Sequence, residues 1–285
     1  MPDLKSMPID AHTQVVGVLG YPVRHSLSPT MHNAAFEALG LNWVYLAFEV
    51  PPERLAEAIA GMRALGIRGL NLTIPHKEAA CSLVDRLTAQ AEAIGAVNTL
   101  FWDGDTLVGD NTDAEGFLRS LLEAGVEPKG QRVLVLGAGG SARAIVYALR
   151  QRGASVWLAN RNLQRAEQLA QRYDAEGVLP LDAAALAPQL TRFDGVVNCT
   201  PLGMHPNEET MPPLPIANLP AHAWVCDLVY RPLETRLLRE AHAHGLKTVS
   251  GLGMLLWQGA LAFERWTGTS APVAVMARAL LEKLA

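Results

Sequence analysis

The residue with the widest chemical reach in this chain is Lys77, which closes the run Asn71-Leu72-Thr73-Ile74-Pro75-His76-Lys77. An ammonium group at hydrogen-bond distance from a carbonyl oxygen can both stabilise developing negative charge and deliver a proton. A lysine just past a buried strand is equally an ordinary surface charge. A second cluster, Gly20-Tyr21-Pro22-Val23-Arg24-His25-Ser26-Leu27-Ser28-Pro29-Thr30-Met31-His32-Asn33, places two hydroxyls, Ser26 and Ser28, beside a predicted helix N-terminus. Unsatisfied N–H groups and the positive dipole end make that a good place for a small carboxylate. The alternative is that Ser28 only caps the helix. Gly95-Ala96-Val97-Asn98-Thr99 puts an amide on a predicted strand, and Gly109-Asp110-Asn111-Thr112-Asp113 brings a carboxylate to a helix start, where capping alone would also explain it.

A different chemistry is written in Val133-Leu134-Val135-Leu136-Gly137-Ala138-Gly139-Gly140-Ser141-Ala142-Arg143-Ala144. A buried strand runs into a glycine-rich turn that opens a helix. Gly137 permits the turn, Gly139 lets backbone approach a pyrophosphate, and the helix N-terminus faces the phosphates. The strand before, the helix after and another strand about 20 residues on point to a bound dinucleotide. That next strand ends in Asn160-Arg161, where an NAD site would place an acid for the ribose 2′-hydroxyl. Arg161 and Arg165 stand there instead, four apart and read as one face of the next helix's start. Two guanidinium groups suit a 2′-phosphate, hence NADP(H).

No metal chemistry is legible. The three cysteines, Cys81, Cys199 and Cys226, are far apart, and the eight histidines form no HExxH. His242 and His244 face apart on a predicted helix, which suits surface positions better than ligands.

The elements that must position these residues alternate. Strands are expected over 15–20, 44–50 and 69–73, with helices from Ser28 to about Leu39 and from Pro51 to near Gly66, and a hairpin over 96–102 and 106–109. Asn111-Thr112-Asp113 caps a helix to about Glu123. Gly125-Val126-Glu127-Pro128-Lys129-Gly130 reads as a hinge and boundary. Strands follow over 132–136, 155–159, 195–198 and 224–228, and from Gly251 onward the pattern is helical. Strands separated by helices imply a mainly parallel α/β sheet covered on both faces.

Composition sets the outer bounds. At about 150 residues per domain, 285 residues suggest two domains. Apolar residues make up 49%, enough for a large core, which excludes wholesale disorder. A net charge of −4 argues against nucleic acid or an anionic membrane as main partner, so positive potential must be local. The N-terminus lacks an apolar signal-peptide core, and the stretch 249–263 is too short for a bilayer span. With the scattered cysteines, this leads to the expectation of a cytoplasmic protein, monomer or homodimer.

Together the signatures resemble the shikimate dehydrogenase family over nearly the whole chain. They are Ser26-Leu27-Ser28-Pro29, Asn71 to Lys77, Gly95 to Thr99, Asn111-Thr112-Asp113, Gly137-Ala138-Gly139-Gly140, and Asn160-Arg161 with Arg165. Beyond these come Asn198-Cys199-Thr200-Pro201, Asp227-Leu228-Val229-Tyr230-Arg231-Pro232, and Gly251-Leu252-Gly253-Met254-Leu255 with Gln258. The resemblance implies NADPH-dependent, reversible reduction of 3-dehydroshikimate to shikimate, on the route to chorismate and the aromatic amino acids. It implies Lys77 and Asp113 as the catalytic pair, with Asp113 orienting Lys77. Ser26 and Ser28 would hold the substrate carboxylate, and Asn71, Thr73, Asn98, Asp113, Tyr230 and Gln258 would line the pocket. The cofactor set is then Gly137, Ala138, Gly139, Gly140, Ser141, Ala142, Asn160, Arg161 and Arg165, with Thr200, Leu228 and Gly251 near the nicotinamide, and no metal.

The implied architecture is a substrate domain of residues 1–112 and 251–285, with the C-terminal helices returning to it. A Rossmann-type NADP-binding domain of residues 113–250 is inserted, and the reaction takes place between them. Two departures are visible: Ala114 stands where the family often has Gly, and Asn162 where it often has Thr, an amide that still donates to a phosphate. Residues 1–12 extend beyond the usual start and read as a mobile tail. Two other functions remain open at this level. One is a quinate/shikimate dehydrogenase, whose NAD preference the missing acid after Ala159 opposes. The other is a catalytically silent NADP(H)-binding sensor, which would need neither Lys77 nor Asp113.

Overall fold

The computed structural model describes residues 9–284. The element order is β1 (Gln14–Gly20), α1 (Ser28–Ala38), β2 (Trp43–Glu49), α2 (Leu55–Ala64), β3 (Gly69–Leu72), β4 (Arg86–Leu87), α3 (Ala89–Ile94), β5 (Thr99–Asp103), β6 (Thr106–Asp110) and α4 (Asp113–Glu123). It continues with β7 (Arg132–Leu136), α5 (Gly140–Gln151), β8 (Ser155–Asn160), α6 (Leu163–Tyr173), β9 (Gly177–Pro180), α7 (Ala183–Leu186), β10 (Gly195–Asn198), β11 (Trp224–Asp227), α8 (Arg236–Ala243), β12 (Lys247–Ser250), α9 (Gly251–Thr267) and α10 (Val273–Leu284). The chain divides into two compact units, residues 1–112 with 258–285, and residues 113–257. The turn over 125–130, read from sequence as a boundary, lies inside the second unit, where Lys247 Nζ donates to the Gly125 carbonyl at 2.9 Å.

The first unit is built on a mixed six-stranded sheet ordered β2-β1-β3-β5-β6-β4. Strands β1, β2 and β3 are parallel, and β5 and β6 form the antiparallel hairpin expected from Asp103-Gly104. One face is packed by Leu19, Leu55, Ile59, Met62, Leu70, Leu100 and Leu107. On the first unit's part of α9, the Trp266 indole donates to the Leu100 carbonyl at 2.9 Å and lies over Gly69, where any side chain would collide with it. The short segments β4 and α3 gave no clear period in the sequence. β4 has only two residues, too few to show alternation.

The described start of the chain is tied down. Thr13 Oγ1 donates to Asn42 Oδ1 at 2.7 Å, and the Asp10 N–H donates to Thr13 Oγ1 at 2.9 Å. The mobile-tail reading therefore fails for residues 9–12, and residues 1–8 lie outside the described residues.

The second unit has a fully parallel six-stranded sheet ordered β12-β11-β10-β7-β8-β9. Numbered within the unit from the other edge, this is 3-2-1-4-5-6, the doubly wound dinucleotide-binding order, with its switch point between β7 and β10. Buried Val, Leu and Ala from both strand faces and from α5 fill it, as an internal parallel sheet requires. The strand β12 and the pair β9–α7 were not anticipated: Lys247-Thr248-Val249-Ser250 has one apolar residue and Gly177-Val178-Leu179-Pro180 two between a glycine and a proline.

Candidate active site

In the first unit, the parallel strands β1, β2 and β3 deliver their C-terminal ends to one edge. Backbone bonds tie these ends together: the Val50 N–H donates to the Gly20 carbonyl at 3.0 Å, and the Thr73 N–H to the Leu19 carbonyl at 2.9 Å. The Ser26–Ser28 turn follows β1. Helix α1 takes Leu27 as its cap residue, with no side-chain capping bond, and Ser28 is its first residue. The expected Ser28 cap is thus corrected. Ser26 Oγ instead accepts from the Ser28 N–H at 3.2 Å. The Ser28 hydroxyl is therefore not committed to capping.

Past β3, the loop that carries Lys77 is held at three points. The His76 N–H donates to the Thr73 carbonyl at 2.9 Å, and the Lys77 carbonyl accepts from the Val97 N–H at 2.7 Å. His76 Nε2 lies 2.8 Å from the Val50 carbonyl, which can only accept, so Nε2 carries the proton. Burial lowers the His76 pKa, against the pull of that bond.

Three sequence-predicted residues from separate stretches meet in a buried amide network. Asn98 lies one residue before β5 rather than on a strand. Its Oδ1 accepts from the Thr112 N–H at 2.7 Å and from Thr99 Oγ1 at 3.0 Å. Its Nδ2 donates to Thr112 Oγ1 at 2.9 Å and to Gln258 Oε1 at 3.2 Å. Asn71 Nδ2 donates to the Asn98 carbonyl at 3.1 Å and to Thr99 Oγ1 at 3.2 Å. Thr112 Oγ1 donates to the Gln258 carbonyl at 3.0 Å, so α9 is pinned to the residue just before Asp113. Asp113, buried, opens α4 and belongs to the second unit, as does the half-buried Tyr230; Lys77 belongs to the first.

In the second unit, Gly137 has φ +107°, a backbone conformation that a residue with a Cβ rarely adopts. Gly139 is the cap residue of α5, extended at φ −92° and ψ −173°, with no side-chain capping bond and nothing within 4 Å of where a Cβ would sit. The loop thus offers helix N–H groups beside an unfilled space, which is what a pyrophosphate needs. At the end of β8, Asn162 caps α6, its Oδ1 accepting from the Arg165 N–H at 3.0 Å. Arg161 therefore precedes the helix, which corrects the one-face reading of the arginine pair. Arg161 and Arg165 are both exposed and flank the N-terminus of α6. The Asn162 side-chain oxygen is committed to the cap, and Asn160 Nδ2 donates to the Asn162 backbone carbonyl at 2.8 Å.

Comparison with known proteins finds family matches over three stretches of the chain. Residues 18–100 match the shikimate dehydrogenase substrate binding domain family, 121–204 the shikimate / quinate 5-dehydrogenase family, and 251–281 the shikimate 5'-dehydrogenase C-terminal domain family. A shikimate dehydrogenase (NADP(+)) of Methanopyrus kandleri is 51% identical over 98% of this chain and 99% of its own length. The chain belongs to the shikimate dehydrogenase family. Two solved structures agree. A shikimate dehydrogenase in complex with NADP+ superposes with a TM-score of 0.91 at 40% identity, covering 98% of this chain and 99% of that one. The Thermus thermophilus enzyme in complex with NADP(H) and shikimate gives a TM-score of 0.86 at 44% identity, covering 95% of this chain and 99% of that one.

The family assignment makes the residues missed in sequence more informative. Asn198 and Asp227 were legible only as motif letters. In the structure Asp227 is fully buried at the end of β11 and accepts from Asn198 Nδ2 at 2.9 Å, the Val229 N–H at 3.0 Å and Thr235 Oγ1 at 2.6 Å. Burial pushes its carboxyl up to about 6, against these three donors. Asn198 Oδ1 in turn holds Thr200, accepting from its N–H at 3.0 Å and its hydroxyl at 2.7 Å. The pair thereby positions the segments carrying Thr200, Leu228 and Tyr230. Gly251 fits because any side chain there would collide with the carbonyls of Asp227 and Leu228. The signal was a polar residue ending an otherwise apolar strand, twice, at adjacent strands. Among the described residues, no group of three or more His, Cys, Asp or Glu side chains could hold a metal, and no helix is long and apolar enough to cross a membrane.

Proposed function

We propose that this chain is an NADP(H)-dependent dehydrogenase that interconverts 3-dehydroshikimate and shikimate, a step toward chorismate and the aromatic amino acids. The observation that carries the reading is the amide network in which Asn71, Asn98 and Gln258 meet. A ring bearing several hydroxyls needs such convergent amides, and a protein that only sensed NADP(H) would need none. The Ser26 and Ser28 hydroxyls hold the substrate carboxylate at the start of α1, and Thr73, Tyr230 and Asn71 line the ring. NADPH supplies the hydride, held through its pyrophosphate by residues 137–142, through its 2′-phosphate by Asn160, Arg161 and Arg165, and near its nicotinamide by Thr200, Leu228 and Gly251. Reduction leaves negative charge on the substrate oxygen. Lys77 stabilises that charge and delivers the proton, and Asp113 orients Lys77 and accepts from a ring hydroxyl.

In this reading residues 1–112 and 251–285 form the substrate part and 113–250 the NADP part. The enzyme works in the cytoplasm, as a monomer or homodimer. Steady-state kinetics with shikimate and quinate, each with NADP and NAD, test it. Shikimate with NADP should give the highest kcat/KM, by at least about tenfold over any other pair, since a 2′-phosphate held by charged hydrogen bonds adds more than about 1.4 kcal/mol. A preference for quinate with NAD would favour the quinate relative, and no turnover at all the silent sensor.

A further inference from the structure

Tyr45 lies in β2, the edge strand of the first sheet, and is 1% exposed. Its N–H donates to Asn33 Oδ1 at 2.7 Å and its carbonyl accepts from Asn33 Nδ2 at 3.0 Å. Asn33, on α1, thus supplies the two bonds that a further strand would give this edge. The phenol ring stacks on His32 of the same helix, with centroids 4.4 Å apart and planes within 1°. The clamp leaves the Tyr45 hydroxyl 2.8 Å from Asn71 Oδ1.

The direction of that bond follows from the acceptors around Asn71. The Asn98 carbonyl can only accept, so the Asn71 group facing it at 3.1 Å is Nδ2. Oδ1 therefore faces Tyr45, and the Tyr45 O–H donates. The two Nδ2 hydrogens go to the Asn98 carbonyl and Thr99 Oγ1. What remains on the Asn71 amide is acceptor capacity at Oδ1. Without the phenol, Oδ1 loses its protein donor and the amide is held from its Nδ2 side alone.

We propose that Tyr45 is a positioning residue. Clamped by His32 and Asn33, it holds Oδ1 of the Asn71 amide in place while the Asn98 carbonyl and Thr99 take both Nδ2 hydrogens, so that Asn71 can only accept from a substrate hydroxyl. The site then discriminates against a substrate carrying a carbonyl or ether oxygen at that position. This deepens the reading of Asn71 as a substrate residue and rests on it.

The test is a double-mutant cycle read in steady-state kinetics with shikimate and NADP. Tyr45→Phe should raise KM for shikimate about tenfold, with kcat and the KM for NADP within about twofold, because one buried acceptor loses its donor. In an Asn71→Ala background, the same substitution should change the shikimate KM by less than about twofold. Asn33→Ala loosens the ring without removing the hydroxyl. It should raise the shikimate KM by about threefold, again only when Asn71 is present, and it stands in for Tyr45→Phe if that variant does not fold. Equal penalties with and without Asn71, a parallel rise in the KM for NADP, or no rise in the shikimate KM overturns the role of Tyr45. A wild-type chain inactive on shikimate overturns the proposed function and this inference with it, whereas an active wild type with additive variants overturns only the inference.

Discussion

The two sheets present functional groups in opposite ways. In the first unit the candidate residues are side chains that also hold the fold: Asn98 is 1% exposed and joins a loop, the start of the hairpin and α9. In the second unit the candidate phosphate site is backbone and reach, a glycine turn at Gly137–Gly139 and two exposed arginines beside the N-terminus of α6. A phosphate is bound well by N–H groups and guanidinium charge that any helix start can display. A small polyhydroxylated ring presents donors and acceptors in a fixed pattern, so its amides must be held in one orientation by buried partners. Function and stability should therefore be entangled in the first unit and separable in the second.

Substitutions can break or sharpen that contrast. The largest effect is expected at Lys77→Ala, where kcat should fall by about a thousandfold with a modest change in KM, since the role proposed for the lysine is on charge that develops in the transition state. Near-normal kcat in steady-state assays would remove Lys77 from the chemistry. Asn98→Ala should lose about 3 kcal/mol of stability in urea melts as well as activity, because several buried partners lose their bonds together. Arg161→Ala should raise the KM for NADP about thirtyfold and leave that for NAD unchanged. Its stability should stay within about 0.5 kcal/mol of wild type, as for exposed positions in general. A destabilised Arg161→Ala or an unaffected Asn98→Ala would dissolve the contrast.

The smallest effect is a pH slope. His32 is fully buried, and burial lowers its pKa from 6.5 to about 3. The unfolded chain therefore binds a proton between these values that the folded chain refuses, so stability present above pH 6.5 is lost as pH falls toward 3. At about pH 5 the loss is about 2 kcal/mol, at about 1.4 kcal/mol per unit. His32→Phe keeps a ring against Tyr45 and should lose less stability than wild type between about pH 7.5 and about pH 5, by about that amount. Parallel Tm profiles for the two proteins would count against a buried neutral imidazole.

Much of the architecture was legible beforehand because its signals are local. Val133 to Leu136 followed by Gly137, Gly139 and a helical period can hardly be anything but a strand, a turn and a helix start. The parallel strands β1, β2, β3, β7, β8, β10 and β11 were read within a residue or two for the same reason. The two-residue β4 carries no period, and β9 and β12 were also missed. The Ser28 cap and the one-face arginine pair were misread because each depended on where a helix begins. The structure puts the cap of α1 one residue earlier, at Leu27, and that of α6 after Arg161, at Asn162. The site was legible as residue types. Asn98 was legible as an amide on a predicted strand and Asn71 and Gln258 through the family resemblance, whereas Tyr45 carried no signal and Thr99, Thr112, Asn198 and Asp227 were motif letters without a role.

By itself the sequence determined the alternating α/β pattern, the glycine turn with its positive-φ Gly137, the absence of an acid at the end of β8 and the family. The local features among these are set by residues within one or two turns of each other, where sterics and backbone hydrogen bonding act alone. The tertiary structure decided which amide hydrogen points where. Asn71 is donor toward Asn98 and acceptor toward Tyr45 only because one sheet gathers β2, β3 and the start of β5 from separate stretches of the chain. A hydrogen-bonding role is a property of the neighbours a group has been folded against, and no single stretch of sequence contains them.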